Sequence, residues 1–191
     1  MLAPHSLTID TSRMPPSGYT DDMKILLIGS PVLRKKAKPI RKMTSELVHL
    51  AKSMEGLMKP TGVGLAAPQI GLNQAFFIYD VGEGLHLVAN PQILEHKGSA
   101  SAEEGCLSIP GVYAPIDRAT EITLSYLDHT GKRRIHKFVD FEARVIQHEF
   151  DHLQGMLFVD RITDPSTISV QEGSPVAAVL THAIEGKGQQ L

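Results

Sequence analysis

The chain has 191 residues, room for one compact domain, with 42% hydrophobic and 21% charged side chains. A formal net charge of −2 offers no basic field for a specific nucleic-acid partner, and the longest apolar runs, such as Ala75–Tyr79, are far too short to cross a bilayer, so no membrane partner is expected. One cysteine rules out an intrachain disulfide and predicts a reducing, cytoplasmic setting; the first residues carry no secretory signal pattern, and Asp10 with a lone Arg13 argues against a transit peptide.

Residues 1–21 contain Pro4, Pro15, Pro16 and Gly18 with little periodicity and read as a poorly ordered tail or an adaptable arm. Met43–Met58 places Met43, Leu47, Leu50, Met54 and Leu57 at helical spacing, with Thr44 or Ser45 to cap it and Pro60 and Gly62 to stop it. Ala75–Val81 and Leu85–Val88 around Gly82-Glu83-Gly84 predict a hairpin, and Glu121–Leu127 and Arg133–Phe138 around Asp128-His129-Thr130-Gly131 predict a second. With no Trp and few aromatics, the core is expected to rest on Val, Ile, Leu and Met. Residues 165–191 form an extension in which Ser174-Pro175, Val176, Val179, Leu180, Ala183, Ile184 and then Gly186 spell a capped amphipathic helix. The expected plan is α+β: antiparallel strands around one central helix, a further helix in the N-terminal half and another at the C-terminus, with the main domain over 22–164.

The central helix carries the chemistry. Gln147-His148-Glu149-Phe150-Asp151-His152 contains H-E-x-x-H, whose histidines lie about 40° apart on one helical face and can reach one metal. On a helical wheel His148, His152, Val145, Glu149, Leu153, Ile146 and Phe150 share an arc of roughly 200°, leaving Arg144, Gln147, Asp151 and Gln154 outside it. A carboxylate inside a buried arc needs a partner or a task, and Glu149 in a metal hydrolase has one: moving a proton between water and a leaving amine. Asp151 is read as a solvated carboxylate or one standing behind the metal ligands. Two hydrogen-bonded core histidines with a structural ion pair at Glu149 would produce the same short pattern.

A third ligand can come from His182 or Glu172, as a zinc endopeptidase would require, or from Cys106 in Glu103-Glu104-Gly105-Cys106-Leu107-Ser108-Ile109-Pro110-Gly111. A thiolate suits Fe(II), Zn or Ni and, with two imidazoles, leaves one tetrahedral position open. A lone Cys is as readily an inert core residue, and spacing alone does not choose. Gly62-Val63-Gly64 lacks the sequel of a phosphate loop; it is either a bulge needing glycine's freedom or a place where an extended peptide can approach the backbone.

Three segments in order, Gly62-Val63-Gly64-Leu65-Ala66-Ala67-Pro68-Gln69, Glu104-Gly105-Cys106-Leu107-Ser108 and Gln147-His148-Glu149-Phe150-Asp151-His152, resemble peptide deformylase, with weaker similarity at Pro31-Val32-Leu33-Arg34, Asn90-Pro91 and Leu157-Phe158-Val159-Asp160. The resemblance spans roughly residues 22–164 and is nearest the bacterial and organellar form of the family. It implies Cys106, His148 and His152 as metal ligands, ferrous iron as the usual ion with Zn or Ni able to replace it, and Glu149 as acid and base. It also implies Gln69 and the backbone N–H of Leu107 as oxyanion donors, and Gly62, Val63 and Gly64 as the substrate-binding edge. The implied substrates are N-formyl-methionyl nascent polypeptides, with the ribosome an open candidate partner. The competing readings are a zinc endopeptidase, a Cys106 nucleophile, and a non-catalytic module held together by a structural metal.

Overall fold

The computed structural model describes residues 23–177. The first helix, α1 (Ser45–Met58), forms where the spacing predicts it: Thr44 caps it by accepting from the Leu47 N–H, and Leu47, Ala51, Met54 and Met58 make its buried face. The chain then enters β1 (Gly64–Ala66), a 3₁₀ turn (Ala67–Ile70) and β2 (Phe76–Tyr79). The first predicted hairpin is present, with Tyr79 opposite His86. Its second strand, β3 (His86–Lys97), runs well past Val88. It does so through a bulge at Asn90, whose φ of 48° lies in the left-handed region. Asn tolerates that conformation because its short amide can bond locally; here it exchanges hydrogen bonds with the Ile40 backbone, 2.8 Å each way.

A third hairpin, β4 (Ala100–Cys106) and β5 (Ile109–Arg118), was not anticipated. The second predicted hairpin follows as β6 (Glu121–Leu127) and β7 (Arg133–Val139), and the chain passes directly into the central helix α2 (Asp140–Leu153). A short strand, β8 (Ser169–Val170), is the last strand of the described residues. Two antiparallel sheets result, β1-β2-β3-β6-β7 and β4-β5-β8.

Helix α2 lies between the sheets. Ala143, Ile146 and Leu153 join Phe77, Val88, Ile122, Leu124 and Phe138 in one apolar cluster against the larger sheet. Helix α1 covers the opposite face of that sheet through Leu65, Phe76, Ile78 and Leu87. As expected, most of the buried apolar side chains are Ile, Leu, Val and Met; Tyr79, Phe76, Phe77, Phe138 and Phe158 add the largest fully buried ones, while Phe141 is exposed. Among the described residues no helix is long and apolar enough to cross a membrane. The predicted N-terminal arm lies outside the described residues, as does nearly all of the predicted C-terminal helix.

Candidate metal centre

Two elements bring the sequence candidates together: β4 ends on Cys106, and α2 carries His148 and His152 one turn apart. Their ligand atoms all lie within 4.8 Å of one another. Cys106 Sγ is 3.3 Å from His152 Nε2. Sulfur and imidazole nitrogen bound to one tetrahedral ion stand about 3.6 Å apart at ordinary bond lengths, so the spacing suits a shared metal. The donor set of one sulfur and two imidazoles suits a borderline or soft divalent ion. Glu172 is exposed, outside this cluster, and His182 lies outside the described residues.

Behind His148 stands a buried ionic network. Glu104 Oε2 is 2.9 Å from His148 Nδ1, which fixes the ring so that Nε2 faces Cys106 and His152. Arg118, with its side chain 2% exposed, grips Glu104 through two hydrogen bonds of 2.9 Å and reaches Asp151 at 2.5 Å. Arg161 makes two 2.5 Å bonds to the same Asp151, and Arg144 donates to Glu104 and to the Ile116 carbonyl at 2.8 Å. Asp151 is therefore not solvated but buried between two arginines, while Phe150, placed in the buried arc by the sequence, is only half-buried. Burial would raise the Glu104 carboxyl, but His148 and Arg118 hold it at about 2. Burial alone would depress both imidazoles; in His148 the Cys106 sulfur and Glu104 reverse it, whereas in His152 burial prevails and favours the neutral, ligating form.

Glu149 is 4% exposed, and its Oε2 has no hydrogen-bond partner. Burial pushes its carboxyl up to about 7, against the pull of His148. The other oxygen sits against Gly64: a Cβ there would lie 2.3 Å from Glu149 Oε1. Gly64 thus leaves the space that the carboxylate occupies. Gln69 arrives on the 3₁₀ turn with its Oε1 held by the Ala66 N–H at 2.8 Å. That bond turns its NH2 group toward the site, where it meets Ser108 Oγ at 3.2 Å and Cys106 Sγ at 3.6 Å.

An open cleft of about 580 Å³ runs over these groups. Gly62, Val63, Gly64, Gln69, Leu107 and Glu149 all line it. Gly62 also lies against Leu107, where a Cβ would come within 3.0 Å of Leu107 Cδ1. The Gly62 N–H is spent on the Met58 carbonyl at 2.8 Å. Asp80 N–H donates to Val63 O, so the backbone groups of Gly64 point away from β2, toward the open edge of the sheet.

A model of the polypeptide deformylase family matches residues 22–167. The chain belongs to this family. The peptide deformylase of Pseudothermotoga lettingae is 41% identical over 151 residues, 78% of this chain and 88% of that protein. The crystal structure of the Thermotoga maritima peptide deformylase aligns with TM-score 0.72 and 44% identity over 74% of this chain and 98% of that one. The Synechococcus elongatus enzyme, solved in complex with actinonin, aligns with TM-score 0.76 and 31% identity over 96% of this chain and 95% of that one. As a deformylase of this family, the chain is a metal-binding hydrolase, not an endopeptidase or a non-catalytic module. Sequence reading missed Arg118 and Arg161, which no motif marks; a clue was the alternation of Val112, Ala114 and Ile116 that leads to Arg118 on the same strand face.

Proposed function

We propose that Cys106, His148 and His152 hold Fe(II), and that Glu149, Gln69 and Leu107 remove the formyl group from N-formyl-methionyl nascent polypeptides in the cytoplasm. The ligand convergence within 4.8 Å, beside a buried Glu149 whose Oε2 is unpartnered, carries this reading. The ion, when bound, acidifies water and polarises the formyl oxygen. The free edge at Gly64 supports strand-like docking of the substrate backbone, and Val63, 39% exposed, gives that edge an apolar rim.

Glu149 Oε2 accepts a proton from water as its oxygen bonds to the formyl carbon. The Gln69 NH2, already aimed by Ala66, and the Leu107 N–H donate to the oxygen that gains charge, each worth about 3–4 kcal/mol by comparison with other oxyanion donors. Glu149 then gives its proton to the amide nitrogen as the C–N bond breaks. Formate and a free α-amine leave. The same Cys106 thiolate that suits Fe(II) makes such a site oxygen-sensitive, and Zn or Ni can take its place.

The test is formate release by anaerobically purified protein from formyl-Met-Ala-Ser beside the unblocked peptide, with metal analysis of the same sample. Formate without chain cleavage, one iron per chain and loss of activity in air are expected. Glu149→Ala should lower turnover by at least a thousandfold with the metal retained, in line with general acid–base and electrostatic contributions of roughly 10²–10⁴ each. Near-normal turnover by that variant overturns the role of Glu149.

A further inference from the structure

The hairpin that presents Cys106 contains an irregularity that β4 does not resolve. Gly105 pairs with Tyr113 and the next residue, Cys106, pairs with Ile109. Pro110, Gly111 and Val112 therefore bulge out of the ladder with no opposing residue on β4. Yet only Ile109 separates this bulge from the Cys106-Leu107-Ser108 turn, and all three of its residues line the cleft.

Its partners come from the segment after the last 3₁₀ turn (Pro165–Thr167). Val112 pairs with Val170 of β8. The Gln171 N–H donates to the Gly111 carbonyl at 2.7 Å. Ser174 Oγ donates to the Pro110 carbonyl at 2.8 Å and accepts from the Val176 N–H at 3.4 Å. Val176, 2% exposed, then sinks into the cluster that holds Ile109 and Val112. Gly111, at φ 74°, is packed so closely that a Cβ would lie 3.1 Å from Ser174 Cβ. The opposite side of the turn is held independently, by Ile28 N–H on the Ser108 carbonyl at 2.9 Å and by Gln69 on Ser108 Oγ.

We infer that residues 169–176 are a positioning clasp: they supply the missing ladder to the Pro110–Val112 bulge and thereby set both the outer wall of the substrate cleft and the placement of the Cys106 sulfur. The clasp lies beyond the residues matched by the family model, and the inference rests on Cys106 being a metal ligand as proposed above. A bulge with its carbonyls unpaired would sample other conformations, and the turn it anchors would follow.

The full chain loaded with Co(II) tests this. The wild type should show thiolate-to-cobalt charge-transfer absorption; its absence, with Cys106→Ala no different, would sink the ligand assignment and, with it, the clasp's role at the metal. Gln171→Pro with Ser174→Ala removes both donors to the bulge while leaving every cleft residue unchanged. Expected at temperatures well below melting are a shifted charge-transfer band, cobalt loss to a chelator faster by about tenfold, and KM raised more than kcat is lowered, at roughly threefold to fivefold per lost hydrogen bond. Ser174→Ala alone, which keeps the backbone donor, should give about threefold in chelator loss and serves if the double variant does not fold. A lowered melting temperature with band, chelator loss and KM all at wild-type values would make residues 169–176 a stabilising strap only and overturn the inference.

Discussion

On one side of α2, Ala143, Ile146 and Leu153 meet the five-stranded sheet in an apolar cluster; on the other, Gln147, His148 and Asp151 meet the three-stranded sheet through hydrogen bonds and ion pairs. Both sides are dry, but only the second specifies where atoms must be. Apolar packing tolerates small slips at modest cost, whereas a guanidinium shared by two carboxylates fixes angles as well as distances. The metal ligands sit at the border, with His148 held by the ionic side and His152 buried in the helix's interior face.

Arg118→Met should separate the two sides most sharply. It leaves Glu104 and Asp151 buried with fewer cations, a loss of about 3 kcal/mol or more, measured by urea denaturation. Because Glu104 orients His148, the folded variant should also surrender its metal to a chelator more than tenfold faster, the usual scale for removing groups behind a ligand being roughly 10–100-fold. Unchanged metal retention would show that the network only stabilises. Leu124→Ala, on the apolar side and fully buried, should cost about 2–4 kcal/mol yet leave metal retention of the folded protein alone. If both variants release metal equally fast, the distinction between the two sides fails.

Gly64→Ala probes the border itself. The added Cβ falls 2.3 Å from Glu149 Oε1, so the carboxylate or β1 must move. The expected stability loss is about 1–3 kcal/mol, and formate release should fall by much more than the folded fraction does, when both are measured at one temperature. A proportional fall would mean that Gly64 matters only for packing.

The apolar side of this architecture was the legible one. Hairpin β2–β3, hairpin β6–β7 and both described helices follow from period-2 and period-3.6 patterns with turn and cap residues in place. Hairpin β4–β5 was not, because Ala100–Glu104 is polar and mostly exposed and Pro110 and Pro115 interrupt β5. Of the two readings open for Asp151, the structure takes the one behind the metal ligands, and the sequence could not choose it for a related reason. A helical wheel reports which residues avoid water when unpaired, and an aspartate clasped by Arg118 and Arg161 avoids it only because of partners 33 and 10 residues away in sequence. The ligands His148 and His152 were visible as a spacing, but Cys106 was fixed only by the family pattern, since nothing local distinguishes a ligating thiol from a packed one.

The smallest effect comes from an ion pair of the same chemistry placed near water. In the β6–β7 turn Asp128 accepts from Thr130, the Lys132 N–H and Arg134, the last at 2.6 Å with Arg134 48% exposed. Burial would raise this carboxyl, but the Thr130 and Arg134 hydrogen bonds outweigh it and hold it at about 2. A folded-state value below the unfolded value of roughly 3.9 stabilises the protein above about pH 4 and loses that contribution as pH falls toward 2. Asp128→Asn keeps the acceptor oxygen of the turn and deletes the charge. It should lower stability near neutral pH by under about 1 kcal/mol, since half-exposed pairs are screened, and the difference from wild type should shrink to a small fraction of that by about pH 2, where the folded-state carboxyl is half protonated. Denaturation curves at both pH values check it. A loss approaching that of Arg118→Met would mean that solvent exposure does not set the strength of these pairs, and the contrast between the buried network and the surface would have to be abandoned.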